Sequence, residues 1–291
     1  MHKKFMNAAL AASLSIGAMI SGQIANAETT KEKILRTHTV TIGIHNRVPW
    51  GYRDASGDVS GLEPDIIRAA LAPLGVTDVE FVIGEFSTMI PGLLAGRFDM
   101  TAAGVAIKPE RCKAVIFSEP DLTSGDGIIV AKGNPKNLHS FQDIIADPSV
   151  TLAGVRGSAN TEHAVMAGVP DAQLVLFQDN ISAVSAVTAG RVDAAIMSAA
   201  TAIATLSQND MPTVERAEPF ELLKDENGEE VALYTAVAFR PSDADLRDLY
   251  NESLEKLKKD GTLHSIILDN GFTEENFPPR KTAASLCGDE G

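Results

Sequence analysis

The sequence predicts an α/β protein of two lobes, each on a largely parallel sheet, with one lobe inserted in the other and two crossing strands as a hinge. Three observations predict it. Short β-rich runs alternate with helical patterns, the signature of parallel sheets. A helix end, an Ala-Gly-Arg-x-Asp cap and a strand occur twice, at Ala95-Gly-Arg-Phe-Asp99 and Ala189-Gly-Arg-Val-Asp193. Removing an N-terminal leader of 27 residues from the 291 leaves 264, enough for two cores of ordinary size.

The leader is the first element to justify. His2, Lys3 and Lys4 form a positive start, Phe5 to Ile24 is mostly apolar, and Ala25-Asn-Ala27 is a small-residue cleavage site before Glu28. This is the pattern of a secretory signal peptide over residues 1–27. No cysteine stands at the cleavage site to take a lipid. No later apolar run approaches the ~18 residues of a membrane span. The mature chain is expected to be soluble and periplasmic.

Val40 to Ile44 reads as a strand, followed by a polar loop from His45 to Trp50 and a hairpin turn over Tyr52 to Val59, where Asp54, Gly57 and Asp58 supply turn chemistry. Gly61-Leu-Glu-Pro-Asp65 opens a helix, with Pro64 in its first turn and Ile66, Ile67, Ala70 and Leu71 on one face. A strand at Val79 to Ile83, a helix over Ser87 to Ala95 stopped by Gly96, and a strand at Phe98 to Ala103 complete one unit. The second runs through a strand at Thr151 to Val155, a helix opened by Gly157-Ser-Ala-Asn-Thr161, a strand at Leu174 to Phe177 and the second Ala-Gly-Arg-x-Asp cap. Val231 to Phe239 is β-rich, Asp243 to Asp260 is a charged amphipathic helix closed by Gly261, and the tail from Phe277 lacks periodicity. The expected division is 37–129 with 236–291 for the first lobe and 130–235 for the second. The crossing strands are expected near Asp126 to Ala131 and Tyr234 to Phe239.

Charge narrows the function. Lys and Arg total 25 against 39 Asp and Glu, a formal charge of −14 that deepens to −16 without Lys3 and Lys4. So acidic a chain argues against nucleic acid and anionic lipid as partners, and an anionic ligand would need a local cationic trap. The cysteines are Cys112 and Cys287. In an oxidising compartment an even count favours a disulfide, which would tie the C-terminus to the loop beside Arg111; the alternative is two free thiols. The six histidines are scattered, so no metal or other cofactor is expected.

The stretch Ala103-Gly-Val-Ala-Ile-Lys-Pro-Glu-Arg111 carries the chemistry: an apolar strand, a glycine, a short loop and one arginine just past Pro109. Arginine offers a planar fork of donors that grips a carboxylate bidentately, so this residue reads either as a receptor for a small acid or as a solvated surface cation.

With these motifs in place the chain resembles the type II periplasmic solute-binding proteins of the polar amino-acid family, which feed ABC importers. The resemblance rests on Gly61-Leu-Glu-Pro-Asp65-Ile, Ala95-Gly-Arg-Phe-Asp99, Ile107-Lys-Pro-Glu-Arg111, Phe117-Ser-Glu-Pro120, Gly157-Ser158, Ala189-Gly-Arg-Val-Asp193 and Leu257-Lys-Lys-Asp-Gly-Thr-Leu263, in that order. It implies a Venus-flytrap fold, a monomer that is not an enzyme, a small carboxylate-bearing solute and an ABC permease as partner. Pro109-Glu-Arg-Cys112 with Leu286-Cys287-Gly288, and Ser198 where amino-acid binders carry an acid for the α-ammonium, are similar to the ectoine- and hydroxyectoine-binding subgroup.

By resemblance, Arg111 holds the carboxylate from the first lobe, and Ser158 with the backbone N–H groups of Ser158 and Ala159 meets it from the second, where Ser158 also caps a helix. Gly104, Ala106, Arg47, Trp50 and Ser198 complete the expected ligand set. Two positions depart from the subgroup: Ala106 stands where an aromatic ring is expected, and Arg47 where a glutamate is. A cation at Arg47 favours a ligand with two acidic groups, or a neutral ring with one. A polar amino acid would need an acid such as Glu63, Asp121 or Asp179 to face its ammonium. Cyclohexadienyl dehydratases resemble the same fold, with Glu162 and His163 as the candidates for catalysis.

Overall fold

The computed structural model describes residues 28–208, 211–226, 228, 230–278 and 281–288. The leader and its cleavage site lie outside the described residues.

The two Ala-Gly-Arg-x-Asp caps do the same work in two sheets. Asp99 accepts from the Thr41 N–H at 3.1 Å and returns its own N–H to the Thr41 carbonyl at 2.8 Å. Asp193 accepts from the Thr151 N–H at 2.8 Å and donates to the Thr151 carbonyl at 2.9 Å. Each aspartate thus staples the end of a helix–turn unit to a strand of its own sheet, satisfying backbone groups that burial would otherwise strand.

The first sheet runs in the order Asp78–Gly84, Thr39–His45, Met100–Thr101, Ala238–Phe239 and Ile116–Phe117. Its first two strands pair in parallel over seven positions, from Thr39 opposite Asp78 to His45 opposite Gly84. The second sheet runs Leu174–Phe177, Leu152–Val155, Ala194–Ser198, Asp126–Ala131 and Val214–Arg216. Ile42, Ile44, Ile66, Ile67 and Leu71 pack with Leu246, Tyr250 and Leu254 of the helix Ala244–Asp260 to form the first core. Ile128, Val130, Leu152 and Ile196 with Phe141 and Ile144 form a core on the second sheet.

Between the sheets, Leu122–Ser124 and Leu233–Thr235 form an antiparallel ribbon, Leu233 opposite Ser124 and Thr235 opposite Leu122. This corrects the expected crossing strands. All of Asp126–Ala131 lies in the second sheet, pairing with Ala194–Ser198, so a break after residue 129 would cut a paired strand. Ala238–Phe239 lies in the first. The β-rich run at 231–239 is divided between ribbon and sheet because the chain passes from one body to the other within it.

Other elements differ from expectation for local reasons. The strand at Phe98 to Ala103 shortens to Met100–Thr101. Phe98 tucks its ring against Gly43 and Gly92, where a Cβ would lie 2.5 Å and 2.7 Å from it, and Gly104 turns the chain out of the sheet at φ 62°. The tail contains a turn at Glu274–Asn276 and a helix, Ala283–Cys287, capped by Thr282. Cys287 bridges Cys112 across 175 residues, with a Cα–Cα separation of 5.8 Å.

Candidate functional site

Arg111 sits on the four-residue helix Pro109–Cys112, held from behind by the disulfide at Cys112. Its Nη1 donates to the Ala106 carbonyl at 2.8 Å, within its own loop. Its Nη2 donates at 2.9 Å to the Gly157 carbonyl, just before the helix Ala159–Met166 that stands beside the second sheet. The guanidinium therefore spans the cleft. Polar contacts also cross it: Lys108 pairs with Glu162, and Trp50 Nε1 donates to Thr201 Oγ1 at 2.8 Å.

Ser158 caps that helix, accepting from the Thr161 N–H at 3.2 Å. With Thr161 capped, helix geometry leaves the N–H groups of Ala159 and Asn160 without intrahelical partners, so the helix start presents positive dipole ends. Ser158, Ala159 and Asn160 are all buried.

These groups converge on a cavity of about 10 Å³, room for about a single water. One side lines it with Arg47, Trp50, Phe86, Gly104, Ala106 and Arg111, the other with Ser158, Ala159 and Asn160, and Leu233 of the ribbon closes the floor. A cavity of about 220 Å³ adjoins it, sharing Arg47 and bounded by Asn46, Tyr52, Asn180 and Thr201. Expected site residues Arg47, Trp50, Gly104, Ala106, Arg111, Ser158 and Ala159 are thus brought together. Ser198 is not. Fully buried, it bonds Thr201 Oγ1 at 2.7 Å and accepts the Thr201 N–H at 3.2 Å, and Thr201 in turn accepts from Trp50 Nε1.

Phe86, Asn160 and Leu233 join the expected residues in the lining. Phe86 supplies a ring facing the position where Ala106 lacks one: the Arg111 guanidinium lies 5.6 Å and the Arg47 guanidinium 5.9 Å from its centroid. The only sequence signal for it is an aromatic at a loop–helix junction. Asn160 is anchored by Asp126, which accepts its Nδ2 at 2.6 Å and meets His163 Nδ1 at 2.8 Å. His163 and Glu162, the candidates for catalysis, are therefore committed to Asp126 and Lys108.

Electrostatically the lining is one-sided. Arg47 lies 4.7 Å over the Trp50 ring, and burial lowers its pKa to about 10, which leaves it charged at neutral pH. The acid facing it is Glu63, wholly buried behind Gly104, whose N–H it accepts at 3.1 Å. Burial, reinforced by Asp121, pushes the Glu63 carboxyl well above the usual carboxylate range. Asp121 lies beside the ribbon, bonded to Thr235, and Asp179 caps the helix Asn180–Thr188, so none of the three acids lines the central cavity.

Gly104 makes the arrangement possible. Its φ is 62°, and a Cβ there would lie 2.2 Å from Arg47 Nη2 and 2.8 Å from Trp50. A Gly104→Ala variant is expected to lose about 1–3 kcal/mol of stability, because both side chains must move, and to bind its solute at least about tenfold more weakly. Thermal melts and ligand titrations measure the two effects; unchanged affinity removes Gly104 from the site.

The family model for bacterial extracellular solute-binding proteins, family 3, matches residues 40–269. The chain is 38% identical over 286 residues to a probable amino-acid ABC transporter periplasmic-binding protein, y4tE, of Sinorhizobium fredii (strain NGR234), covering 96% of this chain and 92% of the relative. The crystal structure of EhuB in complex with hydroxyectoine is similar at a TM-score of 0.80 and 33% identity, over 90% of this chain and 99% of that one. The ancestral amino acid-binding protein AncCDT-1, a precursor of cyclohexadienyl dehydratase, is similar at 0.71 and 29% identity, over 83% and 99% of the two chains. A two-lobed α/β chain matched over most of its length by that model belongs to the bacterial extracellular solute-binding proteins, family 3.

Proposed function

We propose that this chain is a periplasmic receptor that captures a small carboxylate-bearing solute by lobe closure and delivers it to an ABC permease. The observation that carries this reading is the Arg111 fork, which already reaches across the cleft to the carbonyl beside a helix start. A carboxylate entering there replaces a neutral carbonyl with a charged acceptor, which arginine binds more strongly. Ser158 and the free N–H groups of Ala159 and Asn160 meet the same anion from the opposite side. Because the ligand touches both sides, its binding free energy favours the closed state.

Trp50 and Phe86 offer flat apolar faces to the rest of the solute, and the likeness to EhuB makes ectoine and hydroxyectoine the first ring compounds to test. A receptor is favoured over a dehydratase because eliminating water needs an acid at the leaving group, and the described lining holds no carboxylate or histidine.

A thermal-shift panel of ectoine, hydroxyectoine, amino acids and dicarboxylates tests the reading. At least one carboxylate is expected to raise the melting temperature, and Arg111→Ala is expected to weaken it by about 100-fold or more, removing the shift. A shift that survives in Arg111→Ala sinks the assignment.

A further inference from the structure

The two charged side chains that line the central cavity, Arg47 and Arg111, are both cations, and they flank one ring. Arg111 finds two carbonyl acceptors. Arg47 is less well served. Its Nη2 reaches the Ala103 carbonyl only at 3.3 Å, and its buried Nε has no partner among the described residues. An arginine carries five N–H donors, and a desolvated cation without an anion is costly.

Among the described residues Glu63 makes no hydrogen bond to it. One carboxyl oxygen accepts the Gly104 N–H, the other has no partner among the described residues, and burial, reinforced by Asp121, pushes the carboxyl well above the usual carboxylate range. Arg47 is held in place all the same. Its backbone pairs with Gly51 in both directions, at 2.8 Å and 2.9 Å, and its guanidinium is stacked on Trp50. A fixed, charged and under-bonded guanidinium at the wall of a ligand cavity is a site for an anion.

We infer that Arg47 binds a second anionic group of the same solute, so that the site prefers a short dicarboxylate without a free ammonium. The inference rests on the reading that Arg111 holds the first carboxylate. The adjoining cavity of about 220 Å³, which also has Arg47 in its wall, offers room for the second group. An amino acid would bring an ammonium to a lining with no acid to receive it. Ectoine would set its cyclic amidinium, a cation, against Arg47. Both carry a charge that this lining repels.

Isothermal titration of the purified protein with succinate, glutarate, butyrate, glutamate and ectoine, after dialysis from denaturant to free it of carried-over ligand, tests this. The better dicarboxylate is expected to bind at least about 30-fold more tightly than butyrate, the size of one charge-assisted contact. Arg47→Gln is expected to erase that preference, weakening the dicarboxylate far more than butyrate, and Arg47→Lys, which keeps the charge, to retain part of it. Circular dichroism of each variant confirms that it folds.

Tighter binding of ectoine or glutamate than of either dicarboxylate overturns the inference. So does an Arg47→Gln variant that keeps the dicarboxylate preference. If either happens while binding still requires Arg111, the carboxylate role of Arg111 stands alone. If no carboxylate binds, both readings fall.

Discussion

Replacing Cys112 and Cys287 together with alanine is expected to lower the unfolding free energy by about 4–5 kcal/mol and the melting temperature by about 10 °C. The bridge closes a loop across 175 residues. On the chain-entropy model, a loop of that size restricts the unfolded ensemble by about 5 kcal/mol. Folded-state contacts add to it. The helix Ala283–Cys287 sits against Pro109–Cys112; its Ala283 N–H donates to Glu119 Oε2 at 3.1 Å, and Leu286 joins an apolar cluster with Val115 and Phe117. Because Cys112 adjoins Arg111, losing the bridge also frees the helix that aims the guanidinium, and solute affinity is expected to fall with stability. Guanidinium denaturation of the double variant at pH 7 measures the first effect. A loss below about 1 kcal/mol contradicts the entropic account.

Asp121→Asn is expected to do the opposite, stabilising the protein at alkaline pH by about 2–4 kcal/mol. Asp121 is fully buried beside the ribbon. It accepts the Thr235 hydroxyl at 2.7 Å, while its second oxygen has no partner among the described residues. Burial raises its pKa from 3.8 to about 7, against the pull of Thr235 and Lys258. The folded state therefore holds a proton that the unfolded chain has released across this window. Its stabilising contribution is complete below pH 3.8 and is lost as pH rises through about 7. Asparagine keeps the acceptor for Thr235 and never ionises, so the variant's advantage should grow from pH 5 to pH 8 by about 1.4 kcal/mol per unit until the wild-type residue has titrated. Denaturant melts at both pH values test this; parallel slopes in wild type and variant would falsify it.

The legible and illegible parts of the site divide along a physical line. Arg111 stands out because arginine after a Gly-turn and a Pro-opened helix is a local pattern, and Ser158 because an N-cap is a local event. The repeated Ala-Gly-Arg-x-Asp caps reveal two similar units because each aspartate's task is set within a few residues of a helix end. Phe86, Leu233 and Asn160 gave no such signal. Each enters the cavity through packing between segments distant in the chain, and the same residue types at the same local spacing serve as ordinary core elsewhere. For Ser198 the position follows from its strand, but the direction of its hydroxyl follows from Thr201. The ribbon lies a few residues from the expected crossing strands because β-rich runs show where strands lie, not which sheet they join.

The sequence by itself determined the two-unit α/β architecture, most helix and strand positions, the acidic surface, the arginines and the cysteine pair, since these follow from periodicity, turn chemistry and composition. Only the tertiary structure decided that Arg47 and Arg111 flank the same ring, that Glu63 is buried on the Gly104 N–H while Arg47 Nε has no partner among the described residues, and that the ribbon at Leu122–Ser124 and Leu233–Thr235 links the sheets. Charge state and cleft geometry depend on desolvation and on contacts between residues far apart in the chain, and no local pattern carries that information.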